Sequence, residues 1–301
     1  MNTTLSQDNL HKRALVLGGG GSTGNAWLIG VVAGLVEAGL DVTKADLIIG
    51  TSAGSTAAAQ ITGGNPAELF AAVVNAEYQP RPSHVEPNKA RVRGASDHME
   101  RTARIMAESQ DAADMRRRLG ASALELQAEL DPSTQDRWRA TVASRLPGSE
   151  WPDTPILITA VDARTGEPVA FHRDSGVELV DAVAASCASG FAYGIGQGDY
   201  IDGGYRTNAE NADLASGYGR VLVLSPFGGR TRTPGEWGLD LATQVAGLRA
   251  TGSKVETIFP GSDAEHMFGA NAMDLSLRPA AARAGYQQGL DLAPGLTGFW
   301  G

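Results

Sequence analysis

The 301-residue sequence predicts an α/β fold, a three-layer α/β/α sandwich around a mainly parallel sheet. Short apolar runs recur at Ala14 to Leu17, Asp46 to Gly50, Pro155 to Val161, Val221 to Ser225 and Val255 to Phe259. Glycine turns and helix-forming stretches separate them, the order that parallel strands joined by helical crossovers require. A content of 42% hydrophobic and 20% charged residues suits a globular chain with a sizeable core.

Met1 to Arg13 is polar, lacks an apolar segment and predicts a tail with no signal peptide. The first strand, Ala14 to Leu17, runs into Gly18 to Gly21, and a helix is expected from about Asn25 to Glu37 with Gly39 as its stop. That helix falls short of a membrane span. Its Gly30 and Gly34 are spaced like a membrane dimer motif, but close packing beside a sheet accounts for them better. The second strand, Asp46 to Gly50, leads directly into Thr51, Ser52, Ala53 and Gly54, and the alanine-rich stretch Ser55 to Gln60 continues as helix.

The middle differs. Arg81 to Glu150 has almost no strand pattern and predicts polar helices, with Asp131 as an N-cap and Pro132 at the first helical position. It holds 12 of the 25 Lys and Arg residues against 11 acids, leaving 13 against 23 for the rest of the chain. An Arg-rich, nearly neutral insertion on an acidic body is either a cap over the active edge of the sheet or a set of solvated helix faces. Arg116-Arg117-Arg118 is expected to be solvated rather than to meet an anionic lipid surface. The expected organisation is a tail over 1–13 and one catalytic domain over 14–301, with a helical cap insertion at about 81–150.

Strands return at Pro155 to Val161 and Val169 to His172, joined by the turn Arg164-Thr165-Gly166-Glu167. A helix from Val177 to Ala185 leads to Tyr200-Ile201-Asp202-Gly203-Gly204. Helices around Glu236 to Arg249 and Arg278 to Gln288 complete the alternation. The formal charge of −9 repels phosphate backbones and argues against a nucleic-acid partner. The one cysteine, Cys187, cannot form an internal disulfide, which fits a reducing, cytoplasmic setting, and its apolar surroundings make it a core residue. His11, His84, His98, His172 and His266 have no metal-ligand spacing and are expected to be structural or surface residues, so neither metal nor cofactor is expected.

Three motifs carry chemistry. Gly50-Thr51-Ser52-Ala53-Gly54 fits G-x-S-x-G after a strand and before a helix, where Gly50 and Gly54 relieve crowding around a nucleophile held on a sharp turn. Gly18 to Gly24 (Gly-Gly-Gly-Gly-Ser-Thr-Gly) frees backbone amides beside a helix N-terminus, a nest for a phosphate or for the oxyanion of a tetrahedral intermediate. Gly19, Gly21 and Gly24 also satisfy a dinucleotide fingerprint. The acid that should end the second strand is missing, since Asp46 begins it. A P-loop is excluded because Asn25 follows Gly24 where lysine is needed. Asp202-Gly203-Gly204 alone is an ordinary turn. Joined to the other two motifs, it supplies a carboxylate that can take the proton of Ser52 during attack and return it to the leaving group.

These motifs, in one chain and in this order, resemble the patatin-like phospholipase family, and the resemblance runs from the glycine loop to the closing helix. It implies a dyad of Ser52 and Asp202 without histidine, and an oxyanion hole from the amides of Gly19, Gly20 and Gly21. Family members hydrolyse acyl esters, often phospholipids, lysophospholipids or triacylglycerols. The resemblance thus implies a lipid or other acyl-ester substrate and transient contact with a membrane surface. Ala184 to Phe191 looks like the small-residue segment that precedes the aspartate in the family. Thr23 departs from the pattern, standing where many members carry an arginine suited to phosphate. The alternatives are an α/β-hydrolase triad of Ser52, Asp202 and His266, a dinucleotide-binding oxidoreductase, and a lipid-binding module without turnover.

Overall fold

The computed structural model of the chain describes residues 9–76 and 89–301, with backbone alone at 89–97. The first eight residues of the predicted tail and positions 81–88 of the predicted insertion, His84 among them, lie outside the described residues. The fold is the predicted one. Eight strands form a single sheet: β1 (Arg13–Leu17), β2 (Leu47–Gly50), β3 (Ile156–Asp162), β4 (Pro168–Phe171), β5 (Tyr193–Ile195), β6 (Gly198–Asp202), β7 (Arg220–Leu224) and β8 (Lys254–Ile258). Their order is β5-β6-β3-β2-β1-β7-β8, with β4 also paired to β3. The five central strands run parallel, while β4, β5 and β6 pair antiparallel at one side.

Parallel strands are buried on both faces, and β1 shows how alternation feeds two cores. Leu15 and Leu17 join Ile48, Leu222 and Leu224 beneath α1 (Gly21–Glu37), α2 (Ala53–Gly63), α7 (Leu179–Ser186) and α9 (Arg278–Trp300). Ala14 and Val16 face the other way with Ile49, Val221 and Val223, covered by α8 (Leu241–Ala250). The register pairs Leu17 with both Gly50 and Leu224. The carboxyl ends of β1, β2 and β7 therefore lie level, and the glycine loop and Ser52 leave the sheet side by side, as ligand-binding loops of open α/β sheets do.

Helix α1 starts at Gly21, four residues earlier than expected, so Gly21 to Gly24 form its first turn. It packs against α9 at very short range. A Cβ on Gly30 or Gly34 would stand 2.1 Å from the Ala282 carbonyl or 2.2 Å from that of Tyr286, which bears out the packing account of this pair. The closing helix α9 runs twelve residues past its expected end, because Gly289, Ala293, Leu296 and Trp300 extend its buried stripe across Pro294. The three-residue strand β5 escaped the sequence, being too short for alternation to show.

The predicted insertion holds α4 (Lys89–Glu108), α5 (Ala112–Glu129) and α6 (Ser133–Ala143), following α3 (Pro66–Asn75). Pro132 is the N-cap of α6, one residue later than expected, and Asp131 still accepts from the Ser133 amide at 2.9 Å. Met115, Leu119 and Ala123 of α5 pack on Val161, Ala192 and Ile201 at the β3 and β6 end of the sheet. Arg116 corrects the solvated reading of its triplet. Its Nε donates to the Gly166 carbonyl at 2.7 Å and its Nη1 to that of Arg206 at 3.1 Å, while Arg117 and Arg118 pair with Asp114. A face studded with arginine hides one that ties α5 to the turn beyond Asp202. Among the described residues no helix is long and apolar enough to cross a membrane.

Candidate active site

Ser52 stands between β2 and α2 at φ 52° and ψ −114°, one of two non-glycine residues at positive φ among those described. Such a conformation costs on the order of 1–3 kcal/mol and persists only where the surroundings enforce it. Its amide donates to Ser186 Oγ at 2.9 Å, and its carbonyl accepts from the Ser55 amide at 2.9 Å and Ser55 Oγ at 2.6 Å. Gly54 is required by space, since a Cβ there would stand 1.9 Å from the Leu17 carbonyl oxygen. A Cβ on Gly50 would likewise meet Ser55 Cα at 2.6 Å. The bend therefore packs directly against the end of β1.

Ser52 Oγ donates directly to Asp202 Oδ2 at 2.8 Å. Asp202 ends β6, where its amide donates to the Ala188 carbonyl and its Oδ1 accepts from the Gly204 amide at 2.8 Å. Gly203 lies so close to β3 that a Cβ would meet Thr159 Oγ1 at 2.1 Å. Asp202 is 7% exposed, and burial pushes its pKa up to about 6 against the opposing hydrogen bonds from Gly204 and Ser52.

The glycine loop passes over the serine, for a Cβ on Gly19 would lie 3.6 Å from Ser52 Cβ. Its amides do not serve alike. Gly18 donates to the Leu224 carbonyl at 2.9 Å and Gly19 to that of Ala209 at 2.7 Å. Gly19 is thereby engaged by the fold, contrary to its expected place among the free donors. Gly20 and Gly21 find no acceptor among the described residues and stand at the N-terminus of α1, a ready place for an anion. Pro226 fixes the loop from behind, 2.5 Å from where a Cβ on Gly20 would be and 3.1 Å from one on Gly24.

The sequence did not single out the residues that tie these motifs together. Asn211, fully buried at φ 55°, donates through Nδ2 to Thr51 Oγ1 at 3.0 Å and to the Gly203 carbonyl at 2.9 Å. Thr159 Oγ1 donates to Thr51 Oγ1 at 2.9 Å. Asn208 Oδ1 accepts from the amides of Glu210 and Asn211. The turn 208–211 thus touches the glycine loop through Ala209, the elbow through Thr51 and the aspartate turn through Gly203. Glu210 is 0% exposed. Its Oε1 accepts from Ser225 Oγ at 2.6 Å, its Oε2 has no partner, and burial pushes its pKa up to about 7. Arg278 of α9 donates to the Ser22 carbonyl at 2.7 Å and to Asn25 Oδ1 at 3.3 Å, pinning the first turn of α1. Two asparagines and a glutamate just after Asp-Gly-Gly were the available hint of a buried polar knot.

Other expectations separate cleanly. His266 is exposed, 2.9 Å from the Asp263 carbonyl, and hydrogen-bonds neither Ser52 nor Asp202, which removes the geometric basis of the triad. His98, set aside as structural or surface, approaches the Asp202 end instead, with Nε2 3.2 Å from Ser189 Oγ. Asp46 Oδ2 accepts from the Arg13 amide at 2.7 Å, at the amino edge of the sheet, where no ribose at the glycine loop can reach it. Cys187 is half-buried behind Ser52, donating to its carbonyl at 3.1 Å, and desolvation pushes its pKa up to about 11, which disfavours the thiolate. Among the described residues no group of three or more His, Cys, Asp or Glu side chains is placed to hold a metal.

A family model described as patatin-like phospholipase matches residues 15–213, from the first strand to just beyond the Asn211 turn. Among solved structures the chain is similar to VipD from Legionella pneumophila at 14% identity and a TM-score of 0.44, covering 95% of this chain and 67% of that one. No curated protein matches.

Proposed function

The chain belongs to the patatin-like phospholipase family, whose chemistry is lipid acyl hydrolysis, and on that premise we propose that Ser52 is its nucleophile and Asp202 its general base. One observation carries the reading: the direct 2.8 Å hydrogen bond from Ser52 Oγ to Asp202 Oδ2, made by a serine held at positive φ on a strand-to-helix turn. A buried carboxylate whose pKa stands near 6 is ionised at neutral pH and basic enough to take the hydroxyl proton.

Ser52 Oγ attacks the ester carbonyl carbon as its proton passes to Asp202. The carbonyl π pair moves to oxygen, where the amides of Gly20 and Gly21 receive it in this reading. Collapse expels the alcohol, which leaves with the proton held by Asp202. Water then attacks the acyl-serine carbonyl, Asp202 accepting its proton, and the carboxylic acid departs as Ser52 is restored. Both half-reactions balance without a further reactant. We take α4 to α6 as the cap over this site and a lipid or other acyl ester as the substrate, met through transient contact with a lipid surface.

The test is covalent. A fluorophosphonate should label the protein once, at Ser52. Ser52→Ala should stay folded and lose all measurable hydrolysis across p-nitrophenyl esters, phospholipids and triacylglycerols, a fall of about 10⁴ or more. Labelling of the alanine variant equal to wild type rejects the assignment.

A further inference from the structure

The nucleophile and its base leave the sheet from strands that are not neighbours, because β3 stands between β2 and β6. Gly50 pairs with Ile158 on one side of β3 and Asp202 with Ala160 on the other, so Thr159 lies between the two motifs. The 2.8 Å contact from Ser52 Oγ to Asp202 Oδ2 must therefore be held across a whole intervening strand. Neighbouring strands lie about 4.8 Å apart, and two turns that leave such a sheet separately need a further tie to keep a hydrogen-bond distance.

Asn211 supplies that tie. Its Nδ2 donates to Thr51 Oγ1 at 3.0 Å and to the Gly203 carbonyl at 2.9 Å. Thr51 precedes Ser52 and Gly203 follows Asp202, so one nitrogen joins the residues that flank both members of the dyad. The amide fits only one way round. Its Oδ1 accepts from Arg206 Nη1 at 3.2 Å and Thr207 Oγ1 at 2.7 Å, and a guanidinium can only donate where a carbonyl can only accept. Arg206 is itself fixed by a two-pronged pair with Asp213, 2.9 Å on each branch. Asn211 is 0% exposed at φ 55° and ψ 40°, a left-handed conformation that asparagine and glycine accept better than other residues. Burying an amide is costly unless its atoms are hydrogen-bonded, and here both are. Thr159 Oγ1, donating to Thr51 Oγ1 at 2.9 Å, braces the same hydroxyl from β3.

We propose that Asn211 is a positioning residue for the acyl transfer, its side-chain amide setting the spacing of Ser52 and Asp202 across β3. It acts through Thr51 and Gly203, so its effect falls on the activation of Ser52 and not on substrate binding. The inference rests on the Ser52 and Asp202 reading and adds the residue that keeps that pair within reach.

The experiment uses the full chain, with p-nitrophenyl ester turnover and the rate of fluorophosphonate labelling as its two readouts. Asn211→Gly keeps the left-handed backbone and removes the amide. Its kcat should fall about 10- to 100-fold with KM nearly unchanged, the scale of a displacement of about 1 Å in a reacting pair. The labelling rate constant should fall by the same factor while labelling still goes to completion at Ser52, whereas loss of folded protein lowers the endpoint and leaves the rate. Thr51→Val removes the hydroxyl that receives the amide and should slow both readouts about tenfold, and Thr51→Ser, which keeps that hydroxyl, should stay near wild type. Ser253→Ala is the stability control. Its hydroxyl donates to the Tyr218 carbonyl at 2.7 Å at the amino edge of the sheet, so its loss should lower the melting temperature and leave both rates unchanged. Wild-type rates in folded Asn211→Gly, or a lower endpoint at the wild-type rate, overturn the role. Where Asn211→Gly does not fold, the threonine variants decide: Thr51→Val at the wild-type rate, or equal losses in Thr51→Val and Thr51→Ser, overturn it. An equal fall of both rates in Ser253→Ala does the same. Labelling away from Ser52, or full turnover by Ser52→Ala, rejects instead the reading on which the inference rests.

Discussion

The elbow edge of the sheet and the helices α4 to α6 use their residues in opposite ways. At the elbow, backbone does most of the work: amides of Gly20 and Gly21 stand free among the described residues, Gly54 lets one segment touch another, and Ser52 is forced to positive φ. In the helices, long side chains act at a distance, as when Arg116 reaches two carbonyls. Backbone function restricts a position to glycine or a small residue and leaves a mark in the sequence. Side-chain function on a polar helix leaves none, because an anchoring arginine is written like a solvated one.

Asp202 gives the largest test of the elbow side. Asparagine keeps its shape and can still receive the Gly204 amide, but it cannot take the serine proton. Asp202→Asn should lower kcat by about 10⁴, the scale seen when a catalytic carboxylate is made an amide. The pH profile sharpens this. A base with a pKa near 6 must be ionised to act, so kcat/KM should be flat above that pH and fall about tenfold per unit below it. Exposed His266 belongs to neither region, and alanine there should change turnover by less than about twofold. A collapse of activity in folded His266→Ala restores the triad.

A middle-sized effect isolates shape from chemistry. Gly20 contributes no side chain, yet its would-be Cβ meets Pro226 at 2.5 Å, so Gly20→Val must displace the loop. If that loop receives the oxyanion, kcat should fall by about 10² with circular dichroism unchanged, the usual worth of one donor. An unaltered kcat in a folded variant would remove the loop from the chemistry and break the contrast between the two regions.

The same contrast explains what was legible in the sequence. The strand positions along the chain and the motifs that hold Ser52, Asp202 and the glycine loop were readable because apolar runs and glycines at fixed spacing report backbone geometry. Which loop amides remain free was not readable. Gly18 and Gly19 are consumed by Leu224 and Ala209, partners about 190 or more residues away in sequence that only the fold brings near. The turn 208–211 escaped for the same reason, since Asn208, Glu210 and Asn211 look like surface polar residues until the sheet closes over them. Arg116 and His98 were read as solvated or incidental because their partners belong to other elements.

Glu210 is the exception inside the elbow region, a side chain doing hidden work among backbone contacts, and it gives the smallest effect. Its carboxyl is buried with Oε2 unpartnered, and its pKa stands near 7 against an ordinary 4.5. Folding therefore favours the neutral form. The associated stability is complete below about pH 4.5 and is lost as pH rises through 7, on the order of 1–3 kcal/mol. Asp202 adds a loss of the same sign between 3.8 and about 6, but it does so in wild type and variant alike. Glu210→Gln is neutral at every pH. The buried amide brings a fixed penalty for its extra N–H, so the variant should melt below wild type at pH 5, and the gap should close or reverse by pH 8. Parallel melting temperatures across that range would show that Glu210 stays in one charge state throughout, with a partner for Oε2 and no titration under the glycine loop.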